Sequence, residues 1–145
     1  MSLPDLNESG DLPIGIHAAS LEEVIARFGT RSGQRLQVAD RLRRIYSLAL
    51  GTGHLARFII FGSFVTDKPD PNDVDVFLLM EDSFDAAQLV GEAAILFDHL
   101  AAQSYFGASI FWMRRLAAFG GEAATIEHWQ VKRGGVRRGI VEVLK

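Results

Sequence analysis

The chain has 145 residues, of which 48% are hydrophobic and 23% charged, so it can form a core of its own and is not a disordered chain. Its formal net charge of −3 shows no basic excess, which argues against general nucleic-acid binding but leaves a local basic site open. The absence of cysteine excludes disulfides, zinc thiolate sites and thiol catalysis, and no apolar stretch reaches the roughly 20 residues of a membrane span, so we expect a cytoplasmic protein.

Residues 1–19 are rich in Pro, Gly, Asp and Asn, which predicts an irregular leading arm. Ser20, with Glu23 three places on, forms a capping-box pattern and should start a short helix that ends near residue 28. A longer helix is predicted over residues 34–50, because apolar residues recur there every three to four positions and Gly51 follows.

Residues 55–61 form a short apolar run rich in Ile and Phe, which predicts a buried strand. Residues 64–72 are a loop marked by Pro and Asp, and residues 74–80 are a second predicted strand. Alternation along this second strand should place Asp73, Asp75, Phe77 and Leu79 on one face.

A third helix is predicted from residue 83 to about residue 103, followed by a strand over 107–113 and a loop over 116–124. The Gly134-Gly135 pair between two alternating segments predicts a β-hairpin over 125–133 and 136–144. The expected fold is therefore a single mixed α+β domain over residues 1–145. It would have helices over 20–50 and a sheet core over 55–145, with the helices packed on one face of a small mixed sheet.

Gly62-Ser63 and Asp73/Asp75 carry the residue types that phosphoryl or nucleotidyl transfer requires. Gly62 allows a sharp turn and leaves room for phosphate oxygens beside its amide, and Ser63 adds a hydroxyl donor. Asp73 and Asp75 project from one strand face as two hard oxygen ligands, which suit Mg²⁺ or Mn²⁺ bridging to substrate phosphates. Gly-Ser alone is an ordinary turn and a lone Asp-x-Asp is common at strand ends, so the combination carries the argument.

The segment over residues 58–80, in which an apolar strand ends in Phe61-Gly62-Ser63-Phe64 and the next opens with Asp73-Val74-Asp75, resembles the signature of the DNA polymerase β-like nucleotidyltransferase superfamily. It is most similar to the small bacterial minimal nucleotidyltransferase-like domains. The resemblance implies a nucleotidyltransferase-type fold, an NTP substrate, Mg²⁺ or Mn²⁺ at Asp73 and Asp75, and phosphate binding at Gly62 and Ser63. It also permits a helical protein partner, a homodimer, or a role in a toxin–antitoxin pair.

Active members of this superfamily usually take a third carboxylate from a later strand, and residues 107–113 contain no acid. Ala108 or Ser109 stands where that carboxylate is expected. Glu127, on the next predicted strand, is the first candidate to replace it, with Asp67 and Asp70 behind it, and water is a further alternative. Each of these three acids also has a plain interpretation as a solvated surface charge.

Basic and aromatic residues give weaker indications. Arg114-Arg115 and the group of Lys132, Arg133, Arg137 and Arg138 could receive a triphosphate or an RNA phosphate, or be solvated loop charges. Phe111, Trp112 and Trp129 could stack a nucleobase or pack in the core. The four histidines have no partner at metal-ligand spacing.

Three hypotheses remain at this point. The first is an enzyme that transfers a nucleoside monophosphate from an NTP to a protein, RNA or small-molecule acceptor. The second is a catalytically degenerate nucleotide-binding or protein-interaction module, which the missing third carboxylate favours. The third is an unrelated α/β fold in which Asp73 and Asp75 are ordinary exposed charges.

Overall fold

The computed structural model describes residues 3–118, 120–131 and 134–145. Within these ranges a mixed five-stranded sheet is flanked by helices, which confirms the predicted mixed α+β class. The strands are β1 (Ile16–Ala19), β2 (Leu55–Phe61), β3 (Val74–Met80), β4 (Ala108–Arg114) and β5 (Ile140–Val143). The helices are α1 (Leu21–Phe28), α2 (Gly33–Gly51), α3 (Glu92–Leu96), α4 (His99–Phe106) and α5 (Glu122–His128).

The strand order across the sheet is β1-β5-β2-β3-β4. The central strands β2 and β3 run antiparallel, and β4 lies parallel to β3 on one side. On the other side β5 is antiparallel to β2 and parallel to β1. The end of β2 therefore lies beside the start of β3, which brings Gly62 and the Asp pair together at the same end of these two strands.

The two N-terminal helices begin at side-chain caps, as the sequence predicts for the first of them. Ser20 Oγ accepts a hydrogen bond from the Glu23 amide at 3.1 Å, and Ser32 Oγ accepts one from the Arg35 amide at 3.1 Å. Such caps satisfy amides that have no partner within the helix. Both predicted helices are confirmed, with bounds shifted by one residue at most on each side.

The two faces of the sheet are covered unequally, by a large hydrophobic core with α1 to α4 and by a small cluster with α5. Residues Val74, Val76, Leu78 and Met80 of β3 pack in the large core with buried side chains of α1, α2, α3 and α4. The alternate residues Phe77 and Leu79 face a smaller cluster that contains Ile126 of α5. The predicted alternation along β3 is thus confirmed, whereas the prediction that all helices lie on one face is wrong because α5 covers the other.

The single helix predicted over residues 83–103 is wrong. The chain forms a 3-10 turn over Ala86–Gln88, then α3, then α4. Gly91 takes a φ of 66°, and the Asp98 side chain caps α4 by accepting from the Ala101 amide at 3.1 Å, so the segment breaks at these two points. None of the helices in the described ranges is both long and apolar enough to cross a bilayer.

The predicted C-terminal hairpin and the preceding loop are also wrong. Residues 122–128 form α5, since this Ala-rich stretch buries Ile126 against the sheet at helical spacing. Instead of a hairpin, the described residues of this segment form one isolated β-bridge, between Val131 and Arg137. Lys132 and Arg133 of the predicted hairpin lie outside the described residues. The last strand, β5, joins the sheet between β1 and β2 instead of pairing with residues 125–131.

The leading arm is not wholly irregular, because Ile16–Ala19 form the edge strand β1. Asp11 also makes an isolated bridge with Thr66, and the Asp67 amide donates to the Gly10 carbonyl at 3.0 Å. The arm therefore packs on the loop that joins β2 to β3. A short strand of this kind is set by its parallel pairing with β5, which is distant in sequence.

Candidate functional site

The turn after β2 requires glycine at position 62. Gly62 has a φ of 78° and a ψ of −165°, a conformation that L-residues rarely adopt. A Cβ atom built on Gly62 would overlap the Asp75 carboxylate, so the absence of a side chain allows this backbone to lie directly against that carboxylate. The sequence-predicted Gly62 and Asp75 are therefore brought together.

Ser63 opens a 3-10 turn over Ser63–Val65 directly after Gly62. Its carbonyl accepts from the Thr66 amide at 3.2 Å and from the Thr66 hydroxyl at 2.7 Å, which fixes the turn. Neither the amide nor the hydroxyl of Ser63 donates to another residue in the described part of the chain. Both donors are available to an anion.

Asp73 directly precedes β3 and Asp75 is its second residue, so alternation places both on the same side of the sheet as Phe77. The register places Asp75 between two neighbours, with Phe61 of β2 on one side and Ser109 of β4 on the other. Asp75 is thus held within a central strand, and Asp73 lies in the bend directly before that strand. This placement agrees with the position that the sequence predicts for them.

The electrostatic environment of Asp75 is unusual. Burial, reinforced by the neighbouring charge of Asp73, raises the pKa of Asp75 to about 6, while Ser109 and Arg138 act in the opposite direction. Two carboxylates that repel each other in a partly desolvated corner favour binding of a cation or a proton. The arrangement is therefore one that a divalent cation would stabilise.

Ser109 occupies the place on β4 that lies opposite Asp75. Its hydroxyl donates to Asp73 Oδ2 at 3.3 Å, so it contacts the carboxylate pair without adding charge. Glu127, the first candidate for a third acid, lies on α5 and not on a strand, and its carboxylate pairs with Arg137. Across residues 3–118, 120–131 and 134–145, no three His, Asp or Glu side chains form a group that could hold a metal ion.

Arg138 is a site residue that the sequence indicated only as part of a basic cluster. It lies close enough to Asp75 to lower that pKa, and its Nη1 is 3.5 Å from Asp11 Oδ1. Its side chain is only 19% exposed, which is unusual for an arginine near a surface corner. Only the return of the chain into β5 places this guanidinium beside the Asp pair.

The residues present fit Mg²⁺ or Mn²⁺ as a two-carboxylate site. Asp73 and Asp75 supply hard oxygen ligands, and Mg²⁺ commonly retains several waters and takes further ligands from substrate phosphates. The position of the half-buried Asp75 carboxylate beside Asp73 supports this fit, because a bound divalent cation would offset both the burial of Asp75 and its repulsion by Asp73.

The raised pKa of Asp75 predicts how the stability of the metal-free protein depends on pH. The folded pKa of about 6 lies above the unfolded value near 3.8, so Asp75 contributes stability at low pH that is lost as the pH rises through 6. Asp75→Asn should therefore increase the free energy of unfolding by about 1–2 kcal/mol at neutral pH, a figure reduced for the partial exposure of this carboxylate.

Urea titrations in the presence of a chelator, at about pH 4 and about pH 7.5, measure this effect. The gain should almost vanish at the lower pH, where Asp75 is neutral in the parent protein too. Asp40→Asn, at an exposed position of α2, is the control and should show no such pH dependence. An equal gain at both pH values would contradict the assignment.

The fold and the corner together define a mixed α+β protein with a Gly-Ser turn set against Asp75 of β3, beside Asp73 just before that strand. The chain belongs to DUF6932, a family of unknown function whose match covers residues 4–144. No curated protein and no solved structure matches it.

Proposed function

We propose that this protein is a metal-dependent nucleotidyltransferase that transfers a nucleoside monophosphate from an NTP to an acceptor. The observation that carries the proposal is the meeting of the Gly62-Ser63 turn and the Asp73/Asp75 pair at one corner, set by the pairing of Phe61 with Asp75. The resemblance of residues 58–80 to polymerase β-like nucleotidyltransferases gives the same assignment, including a nucleotidyltransferase-type fold.

Each residue of the corner has a role in this proposal. The amide and hydroxyl of Ser63 would donate to phosphate oxygens, and Gly62 would let the backbone approach them. Arg138 would add a positive charge beside the triphosphate. Asp73 and Asp75 would hold Mg²⁺ or Mn²⁺, which when bound would neutralise triphosphate charge and orient the reacting groups.

The reaction would join an acceptor oxygen to the α-phosphorus and break the bond to the β-phosphate, with release of pyrophosphate and a proton. The acceptor is a protein hydroxyl, an RNA end or a small molecule. A helical protein partner or a second copy of the chain would complete the acceptor site, as the resemblance implies for minimal domains.

A second function is favoured by Ser109. With a hydroxyl in place of a carboxylate opposite Asp75, the corner carries two acids where active relatives in the superfamily usually carry three. The alternative is therefore a catalytically degenerate module that binds a nucleotide, or a protein partner, and acts by occupancy.

Transfer of label separates the two functions. The purified protein is incubated with each NTP labelled at the α-phosphate, with Mg²⁺ or Mn²⁺, and with a lysate of its host. Labelled product should form and should fall by at least about 100-fold in Asp73→Asn/Asp75→Asn.

The matched control is Asp5→Asn/Asp40→Asn, which removes two carboxylate charges at exposed positions and should leave transfer unchanged. NTP binding without transfer for any NTP or metal would favour the occupancy module. Transfer that survives in Asp73→Asn/Asp75→Asn would show that this corner is not the active site.

A further inference from the structure

A cleft of about 390 Å³ lies next to the corner and takes no part in the roles given above. It is lined by Phe77 of β3, Phe111 of β4, His99 of α4, and the two tryptophans of the chain, Trp112 and Trp129. Its volume lies within the range of small-molecule sites, and its lining is mostly aromatic.

The sheet register connects this cleft to the carboxylate pair. Phe77 follows Asp75 by two residues on the same side of β3, and Phe111 pairs with Phe77 as Ser109 pairs with Asp75. Phe61, which pairs with Asp75, has its ring centroid 4.6 Å from that of Trp129. The aromatic surface therefore begins one step along the strand from the proposed phosphate and metal site.

The rings of the cleft lie at low angles to one another. Trp129 is inclined by 31° to Phe77 and by 36° to Phe111, with centroids 5.1 Å apart in both pairs. His99 extends this surface, at 4.8 Å and 35° from Phe111. Phe111 and Trp129 are half-buried and His99 is exposed, so their rings keep area for a flat ligand.

His99 also gives the cleft a polar group of defined character. Its Nδ1 lies 2.9 Å from the Ile110 carbonyl, which can only accept, so Nδ1 donates. In the neutral imidazole Nε2 is then a hydrogen-bond acceptor. An amino group on a bound ring would be its complement.

We propose that this cleft binds the base of the NTP whose triphosphate lies at the Gly62/Asp75 corner, and that it favours bases with an amino group. The inference rests on the proposed function for the position of the phosphates. The aromatic rings would supply stacking, and His99 Nε2 would accept from the amino group of cytosine, adenine or guanine but would find no such donor on uracil.

The test separates base from phosphate by using four ligands on the full chain. Cytidine, CTP and UTP, the last two with Mg²⁺, are titrated by intrinsic tryptophan fluorescence, since both tryptophans line the cleft. Mg²⁺-tripolyphosphate, which has no base, is titrated by calorimetry. CTP should bind about tenfold more tightly than tripolyphosphate and about fivefold more tightly than UTP.

The variants are Phe111→Leu, which removes a stacking ring, and His99→Phe, which keeps a ring but removes the acceptor. Phe111→Leu should weaken CTP binding about tenfold without changing tripolyphosphate binding. His99→Phe should remove the preference for CTP over UTP. Tyr105→Leu, an exposed aromatic of α4 outside the cleft lining, is the matched control and should change neither value.

CTP that binds no more tightly than tripolyphosphate, or equally well in Phe111→Leu, would overturn the base site while leaving the phosphate corner intact. A response to cytidine without any binding of tripolyphosphate would support the cleft and count against the proposed function. If cytidine, CTP and UTP all leave the tryptophan fluorescence unchanged, the proposed base site is overturned. The tripolyphosphate titration then tests by itself whether the corner binds phosphate.

Discussion

Gly62→Ala is expected to abolish binding of Mg²⁺-tripolyphosphate and to lower the free energy of unfolding by about 3 kcal/mol. Two causes add. The φ of 78° disfavours any L-residue, and the new Cβ would overlap the Asp75 carboxylate, so the turn or the carboxylate must move. Urea unfolding gives the stability change, and calorimetry gives the binding change.

The control for this experiment is Gly53→Ala. Gly53 has nearly the same φ, 76°, but a Cβ built there meets no atom within 4 Å. Its substitution should cost about 1 kcal/mol from the backbone alone and leave ligand binding unchanged. An equal loss in the free energy of unfolding for Gly62→Ala and Gly53→Ala would mean that the close approach of Gly62 to Asp75 does not contribute to stability.

Arg35→Leu is expected to cost about 3–5 kcal/mol of stability, a large part of what a domain of this size possesses. Arg35 is fully buried, and its guanidinium donates to the carbonyls of Phe28, Phe64, Thr66 and Lys68 at 2.6–2.9 Å. Leucine would leave those carbonyls without their donor. Burial also lowers the pKa of Arg35, so the protein already bears a desolvation cost at this position.

Three of these carbonyls belong to the loop that runs from Ser63 towards the Asp pair, so Arg35 holds the loop that follows the Gly62-Ser63 turn. Arg35→Lys should lose less stability than Arg35→Leu, because an ammonium offers three donors without the planar fork of arginine. Tripolyphosphate affinity, measured under conditions where the variant is folded, should fall in both. This readout separates a positioning role from a purely structural one.

The matched control is Arg43→Leu on the same helix. Arg43 is exposed and makes surface ion pairs with Glu22 and Asp40 at 3.4–3.5 Å, so its loss should change stability by less than about 1 kcal/mol. A loss in Arg35→Leu as small as that in Arg43→Leu would show that the loop finds other donors.

Sequence patterns predicted correctly those elements whose structure depends on residues close together in the chain. The Ser20 side chain caps the start of α1, and the apolar runs before Gly62 and after Asp73 form β2 and β3. Period-two alternation placed Asp75 and Phe77 on one face. These features depend on backbone geometry and local hydrogen bonds, which residue types reveal directly.

Sequence patterns gave wrong predictions where packing or capping, and not the apolar spacing, sets the secondary structure. Residues 125–128 alternate well enough for a strand but are helical, since Ile126 packs on the sheet from α5. The apolar spacing over residues 83–103 predicts one helix, but Gly91 and Asp98 end and restart it. Intrinsic preferences of this size are readily overridden by tertiary packing.

The sequence by itself determined the mixed α+β class, the two central strands, and the Gly62-Ser63 and Asp73/Asp75 elements of the candidate site. Only the tertiary structure decided that Arg138 lies beside Asp75, that Glu127 pairs with Arg137, and that Arg35 is buried against the loop after Ser63. The reason is physical. A motif confined to two adjacent strands is fixed by their pairing, whereas a charged side chain finds its partner through the packing of segments far apart in the chain.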